Sequence, residues 1–358
     1  MARHLVVTLS SHGFGHIGQT APVVRALCER LPGLRVTLRT SAPAFKLRER
    51  FGAEARIVPA VTDVGMVQEN AQAIALEASA QAYQRFHDGW ERRVSEEARQ
   101  LVDLGGDLVL ANAPYLPLAA AQRAELPAVA LCSINWMDIY AHYFSARPEA
   151  CVLLDEMRRA YSSAALFLRP TPSMPMRTLT NGRVVGPISD CGVNCRAWFA
   201  EHLGLREDER LVMVSLGGME LCPPWADWPR FPGVRLIVPG SWGCRHPDTV
   251  DFEALGVPYV NALWSSDALI CKPGYGSFVE AACAGLPVLY LARPGWPEVP
   301  YLVQWLKAVG RAEPLEQRDW QGGDLSAHLQ RLWEAPSPLP ISADGAEEAA
   351  EAILPILL

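Results

Sequence analysis

Two glycine-rich turns carry histidine, lysine and glutamate at spacings that suit gripping a phosphate ester and activating a hydroxyl. The first reads Ser11-His12-Gly13-Phe14-Gly15-His16, and the second Lys272-Pro273-Gly274-Tyr275-Gly276-Ser277-Phe278-Val279-Glu280. Each follows a short apolar run and precedes a helical pattern. Glycine lets the backbone approach a phosphate, and free N–H groups at a helix N-terminus meet its charge. Gly217-Gly218 follows a third apolar run and offers the same. His16 ends the first turn. A histidine titrates near neutrality, so it can take a proton from a hydroxyl or from water. Donating a hydrogen bond to a ligand oxygen, or simply ordering the loop, are its other uses. His12 either braces that loop or touches ligand. Lys272 either neutralises a phosphate, contacts a sugar, or is solvated.

A second set follows the apolar run Ala128-Val129-Ala130-Leu131. Trp136 can present a flat face to a sugar ring or sit in the core, and Asn135 and Asp138 can hydrogen-bond hydroxyls. Other chemistries are poorly served. The stretch Gly13-Phe14-Gly15-His16-Ile17-Gly18 matches a dinucleotide fingerprint only loosely, and Arg39-Thr40-Ser41 stands where that fingerprint needs an acidic residue. The chain contains no Asp-x-Asp pair, no Gly-x-Ser-x-Gly, no P-loop and no His-Glu-x-x-His. Its nine cysteines include no Cys-x-x-Cys pair, which points to reduced thiols and not to a structural metal.

The elements that must place these residues alternate. A strand at residues 5–9, the first turn, a helix with Ala21, Val23, Val24, Leu27 and Leu31 at helical spacing, and a strand at 34–38 make a βαβ unit, hence a parallel sheet. Further strands are expected at 55–59, 107–111, 128–131 and 165–168, the last of the first half, with helices across 66–104 and 116–125. Residues 170–187 hold Pro170, Pro172, Pro175 and Pro187 and read as a linker. The second half repeats the theme, with a helix at 196–203, strands at 211–216, 234–238, 268–271 and 287–291, and helices near 300–309, 325–333 and 347–353. The expected division is 1–187, 188–340, and a C-terminal helix within 341–358 able to pack back on the first domain.

The first turn resembles the N-terminal Gly/His loop of the glycosyltransferase B superfamily, which includes the N-acetylglucosaminyltransferase of peptidoglycan synthesis. Residues 267–287, with Glu280 followed by Ala284-Gly285-Leu286-Pro287, are similar to that superfamily's donor-binding signature. Over nearly the whole chain the pattern is most similar to the glycosyltransferase-like N-terminal domain of arabinokinases and its bacterial stand-alone relatives. The shared marks are the His-Gly-Phe-Gly-His loop, the Lys-x-Gly-Tyr-Gly-Ser turn and Glu298-Val299-Pro300-Tyr301-Leu302. With the last residue at Leu358, no sugar-kinase domain is expected.

The resemblance implies an α/β fold of two Rossmann-like domains with parallel sheets facing a central cleft. Glu280 would hold the nucleotide's ribose hydroxyls, a pairing that a carboxylate suits, or else favour the helix dipole. Gly13, Gly15, Gly217, Gly218, Gly274, Tyr275, Gly276 and Ser277 would line the nucleotide sugar. Glu298 would face its sugar, or be an exposed loop charge. His16 would activate the acceptor, with no metal or other cofactor.

Composition agrees with an enzyme. Of 358 residues, 50% are hydrophobic and 20% charged, and a net charge of −7 argues against a nucleic-acid partner. No apolar stretch approaches the length of a membrane span, and the N-terminus lacks a secretory signal, so a cytoplasmic protein is expected. The expected function is glycosyl transfer from a nucleotide sugar, a UDP-sugar, to a small-molecule or lipid acceptor. A nucleotide-sugar hydrolase or epimerase and a non-catalytic nucleotide-sugar-binding module are the alternatives. Oligomeric state is left open.

Overall fold

A computed structural model describes residues 2–69, 73–216 and 225–358. The chain forms two compact units, Met1–Ile188 with Asp344–Leu358, and Ser189–Ala343.

The first unit runs β1 (His4–Leu9), α1 (Gly15–Arg30), β2 (Arg35–Arg39), α2 (Ala44–Phe51), β3 (Arg56–Val58), α3 (Leu76–His87), α4 (Trp90–Leu104), β4 (Leu108–Asn112), α5 (Leu116–Arg123), β5 (Ala128–Leu131), α6 (Trp136–Phe144), α7 (Ala150–Ser162), β6 (Leu166–Pro170) and β7 (Gly182–Val185). The second runs α8 (Arg196–Leu203), β8 (Arg210–Ser215), β9 (Val234–Val238), β10 (Thr249–Asp251), α9 (Tyr259–Trp264), β11 (Ala268–Cys271), α10 (Tyr275–Cys283), β12 (Val288–Leu291), α11 (Val299–Val309), β13 (Ala312–Leu315), α12 (Gln317–Gly322) and α13 (Ser326–Glu334), and then α14 (Gly345–Leu357) returns to the first unit.

Both sheets are parallel. The first has seven strands in the order β3-β2-β1-β4-β5-β6-β7, the second six in the order β10-β9-β8-β11-β12-β13. Central strands such as β1 are buried along their whole length, as a sheet covered by helices on both faces requires. In each unit the chain steps outward on one side, then returns to the other side of its first strand. The order therefore reverses between β1 and β4, and between β8 and β11. Turns at the carboxyl ends of strands part at such a point and leave room for a ligand.

The sequence pattern stopped the first sheet at residues 165–168, but the structure adds β7 within the proline-rich stretch. Three of its four residues are exposed, and it pairs in parallel with β6 at the sheet edge. An edge strand with so little buried surface leaves no apolar run to read. β10, β13, α2, α6 and α7 were not anticipated either, and the helical segment starts at Leu76, not at residue 66. Arg39 is buried and paired with Glu97 and Gln100, so the cation that stood in place of an acidic fingerprint residue is structural. No helix among the described residues is long and apolar enough to cross a membrane.

α14 lays Ala349, Ile353 and Leu357 into the core formed by β1, β4 and α1. Its start is tight. The Gly345 amide donates to the Pro187 carbonyl at 3.0 Å, and a Cβ on Gly345 would lie 2.0 Å from the Gly186 carbonyl oxygen. We expect Gly345→Ala to lower stability by about 1–3 kcal/mol through overpacking. Gly276→Ala, where a Cβ meets nothing within 4 Å, should leave stability unchanged or slightly raised. Urea unfolding of the two variants checks the contrast, and equal midpoints would refute it.

Candidate functional site

In the first unit the candidate residues gather at the carboxyl ends of β1, β4 and β5. The turn at residues 10–14 starts clamped to β4, because the Ser10 amide donates to the Asn112 carbonyl at 3.0 Å. Gly13 has φ +79°, a value only glycine adopts without strain. Gly13 and Gly15 are exposed, and a Cβ on either would meet nothing within 4 Å. α1 begins behind them with no side-chain cap and no acidic residue in its first turn. Its first N–H groups lack intrahelical partners and carry the positive end of the dipole.

His16, in the first turn of α1, is 7% exposed. Its Nδ1 lies 2.8 Å from Asn112 Oδ1, at the end of β4. The bonds around Asn112 fix the proton positions. Thr20 Oγ1 donates to the His16 carbonyl at 2.8 Å, so it accepts from Asn112 Nδ2, also at 2.8 Å. Asn112 Nδ2 donates to Gln19 Oε1 as well, and Gln19 Nε2 is spent on Ser133 Oγ. Asn112 Oδ1 is thus an acceptor, the His16 Nδ1–H donates to it, and the lone pair of the ring sits on Nε2. Burial pushes the His16 pKa below its ordinary 6.5, against the Asn112 bond and the Asp63 charge that raise it, while His12 lowers it further. The ring is a neutral base.

Trp136 is 1% exposed and lies under both histidines, its ring centroid 5.4 Å from that of His12 and 6.2 Å from that of His16. Its Nε1 donates to Asp63 Oδ2 at 2.7 Å. Of the two readings offered by the sequence, an open face for a sugar ring or a place in the core, the structure has the second, with Trp136 as a buried brace. Asn135 and Asp138 also act locally. The Asp138 amide donates to Asn135 Oδ1 at 2.7 Å, and Asn135 Nδ2 returns a bond to Asp138 Oδ2 at 3.0 Å. This reciprocal cap fixes the start of α6, hence Trp136. Burial raises the Asp138 pKa, opposed by the Asn135 bond. His12 Nε2 rests against the Met66 backbone, and a Cβ on Gly65 would strike its ring at 2.3 Å. Tyr161 Oη joins the Trp136 amide to the Ala113 carbonyl, just past β4, where Ala113 holds φ +70°. Such strain is retained where the surroundings over-determine it, commonly beside functional sites.

In the second unit the set lies after β11. Gly274 is extended at the N-cap of α10, which has no side-chain cap and no acidic residue in its first turn. A Cβ on Gly274 or Gly276 would meet open space, and Tyr275 is buried. Ser277 and Ser215, at the end of β8, hydrogen-bond the Tyr259 hydroxyl, whose pKa is raised by burial and by the nearby Glu280. Glu280 is 7% exposed and beyond the first turn, so the dipole role does not apply to it. Lys272 is half-buried. Burial, then repulsion from Arg293, lowers its pKa to about 8, against the opposing effect of Cys271. Arg293 stacks over Trp296 at 4.7 Å, and the Trp296 Nε1 lies 3.4 Å from Glu298 Oε2. Glu298 is buried at the start of α11, not an exposed loop charge. Gly217 and Gly218 lie outside the described residues.

Sequence reasoning missed Asn112, Asp63, Tyr259 and Arg293. Asn112 was findable as a polar residue ending an apolar strand. Asp63 sits in a stretch without periodicity and gave no signal.

The architecture is that of the glycosyltransferase B fold. The structure resembles the calicheamicin glycosyltransferase CalG4, with TM-score 0.62, 18% identity, and coverage of 99% of this chain and 94% of that one. It also resembles UGT89C1 of Arabidopsis thaliana, solved in complex with UDP, with TM-score 0.58, 16% identity, and coverage of 99% and 100%. In sequence the chain is 23% identical, over 344 residues, to an L-arabinokinase of Arabidopsis thaliana, across 92% of this chain and 32% of that protein. The chain thus spans about a third of the length of the curated relative it matches. No family model matches it.

The neutral state of His16 has a stability consequence. With the folded pKa below 6.5, the unfolded chain binds the proton first, so stability falls as pH drops below about 6.5 and levels off once the folded pKa is passed. Asn112→Asp places a carboxylate on Nδ1 and should raise the His16 pKa by about 1–3 units. Histidine titration by NMR reads this directly, and an unmoved pKa would show that Asn112 does not orient the ring.

Proposed function

We propose that the chain is a glycosyltransferase that moves a sugar from a UDP-sugar to a hydroxyl of a small-molecule or lipid acceptor, without a resident metal. The observation that carries the reading is the neutral, Asn112-oriented His16 on a glycosyltransferase B fold. Its Nε2 takes the proton of the acceptor hydroxyl. The oxygen forms a bond to the anomeric carbon, and the sugar–phosphate bond breaks, its electron pair leaving with UDP.

The second unit supplies the donor contacts. The open N-terminus of α10 presents N–H groups to the diphosphate, and Lys272 adds a charge. Tyr259 holds Ser277 at that helix start. Glu280 accepts from the ribose hydroxyls, and Glu298 from the sugar. Arg293, beside Lys272, joins them, since two cations kept close together gain from a bound anion. Gly217 and Gly218 belong to the same reading. In the first unit, Gly13 and Gly15 open the backbone to the donor, and His12, Trp136, Asn135 and Asp138 hold the base. The protein works in the cytoplasm.

Lys272 must be charged to meet a phosphate, so kcat/KM should fall above about pH 8 as it loses its proton. Lys272→Arg should remove that upper limb, because guanidinium stays charged. His16→Ala should cut transfer by about 10²–10⁴-fold while UDP still raises the melting temperature as in the wild type. EDTA should not slow turnover. The assay is release of UDP from a nucleotide-sugar panel, with and without acceptor mixtures. Absence of any thermal shift with UDP or UDP-sugars would end the proposal. Full release rates without acceptor would replace it with a hydrolase.

A further inference from the structure

A group of polar side chains in the first unit keeps bonding capacity that the base and its supports do not use. Asp63 is 9% exposed, accepts one bond, from Trp136, and pairs with no cation among the described residues. Its charge is felt at His16. Among the described residues the hydroxyl of Tyr83 is buried without a hydrogen-bond partner, and so are those of Thr62, next to Asp63 in the chain, and of Tyr140. The rings of Tyr83 and Tyr140 meet edge to face at 4.9 Å. Burial first, then the Asp63 charge, pushes the Tyr83 phenol well above its ordinary value, so it stays a hydroxyl donor beside a carboxylate. Buried polar atoms are normally paired, because leaving one unmade costs its full desolvation. Three such hydroxyls, one next to Asp63 in the chain, one feeling its charge and one in ring contact with the second, imply a partner rich in hydroxyls.

We propose that Asp63, Thr62, Tyr83 and Tyr140 recognise a small polyhydroxylated acceptor, a free monosaccharide or cyclitol, beside His16. The inference rests on the transferase reading above and narrows its acceptor. Sugar hydroxyls donate to the second oxygen of Asp63 and exchange bonds with the three side-chain hydroxyls. A flat apolar acceptor would leave all of these desolvated and unpaired, which a site of this type rejects strongly.

The test uses the full chain, without donor. Titration calorimetry with D-glucose, L-arabinose and myo-inositol is run on the wild type, Tyr83→Phe and Thr62→Val, with melting temperatures alongside. We expect at least one of the three to bind. Tyr83→Phe and Thr62→Val should each weaken it by about fivefold or more, the loss of one hydrogen bond. Melting temperature should stay level or rise, since each change removes a hydroxyl that had no partner. A purely structural hydroxyl would instead lower it. No binding by any of the three, unweakened binding in both variants, or a fall of several degrees overturns the proposal. A parallel UDP titration judges the transferase reading separately, because its contacts lie in the second unit.

Discussion

The hydrogen bond from His16 Nδ1–H to Asn112 Oδ1 converts a strand order into a chemical group. It exists because β4 joins the sheet beside β1, so the end of one strand meets the helix that follows the other. Everything nearby keeps Asn112 in one orientation. Thr20, Gln19 and Ser133 use up the donors that would permit the amide to flip. Trp136, held by the α6 cap and by Tyr161, closes the space below the ring. A fixed tautomer in a buried ring costs stability at low pH, and that cost is the trace of a base kept unprotonated.

The two units treat charge differently. The first keeps a carboxylate, Asp63, with no cation partner among the described residues, and a histidine held neutral by burial. The second sets Lys272 near Arg293, like charges after two adjacent strands, and an uncapped helix N-terminus just past β11. Neither arrangement lowers the energy of the folded chain by itself. In the proposed reading, a carboxylate suits hydroxyl donors and neighbouring cations suit phosphates, so the acceptor falls to the first unit and the donor to the second.

Legibility in the sequence followed burial. The central strands were readable because each is an apolar run, and both turns because glycine between a strand and a helix has few other uses. Edge elements such as β7 and β10 were not, since they pair through backbone atoms and carry little apolar surface. Within the site, residue type was legible and partnership was not. His16 stood out, whereas Asn112, 96 positions away, became its partner only through parallel pairing. Trp136, Asn135 and Asp138 sat in the expected place but serve a cap and a brace. A polar residue after a strand looks the same in sequence whether it faces a ligand or a helix end.

The choice of an amide partner for His16 bears on mechanism. A carboxylate on Nδ1 would stabilise the imidazolium once formed, and would also raise the resting pKa so that much of the base is blocked at neutral pH. An amide orients the ring and leaves it unprotonated, at the expense of a weaker grip on the proton after transfer. The negative charge that raises the His16 pKa is then that of Asp63, which bonds Trp136, the indole in contact with the His16 ring. Separating orientation from charge in this way keeps the base free in the resting protein. It leaves modest electrostatic support, from Asp63, for the moment the proton arrives. In the proposed transfer, a base so arranged suits a leaving group that departs early, because the acceptor oxygen then bonds to a carbon already electron-poor and passes its proton late, to Nε2 of His16.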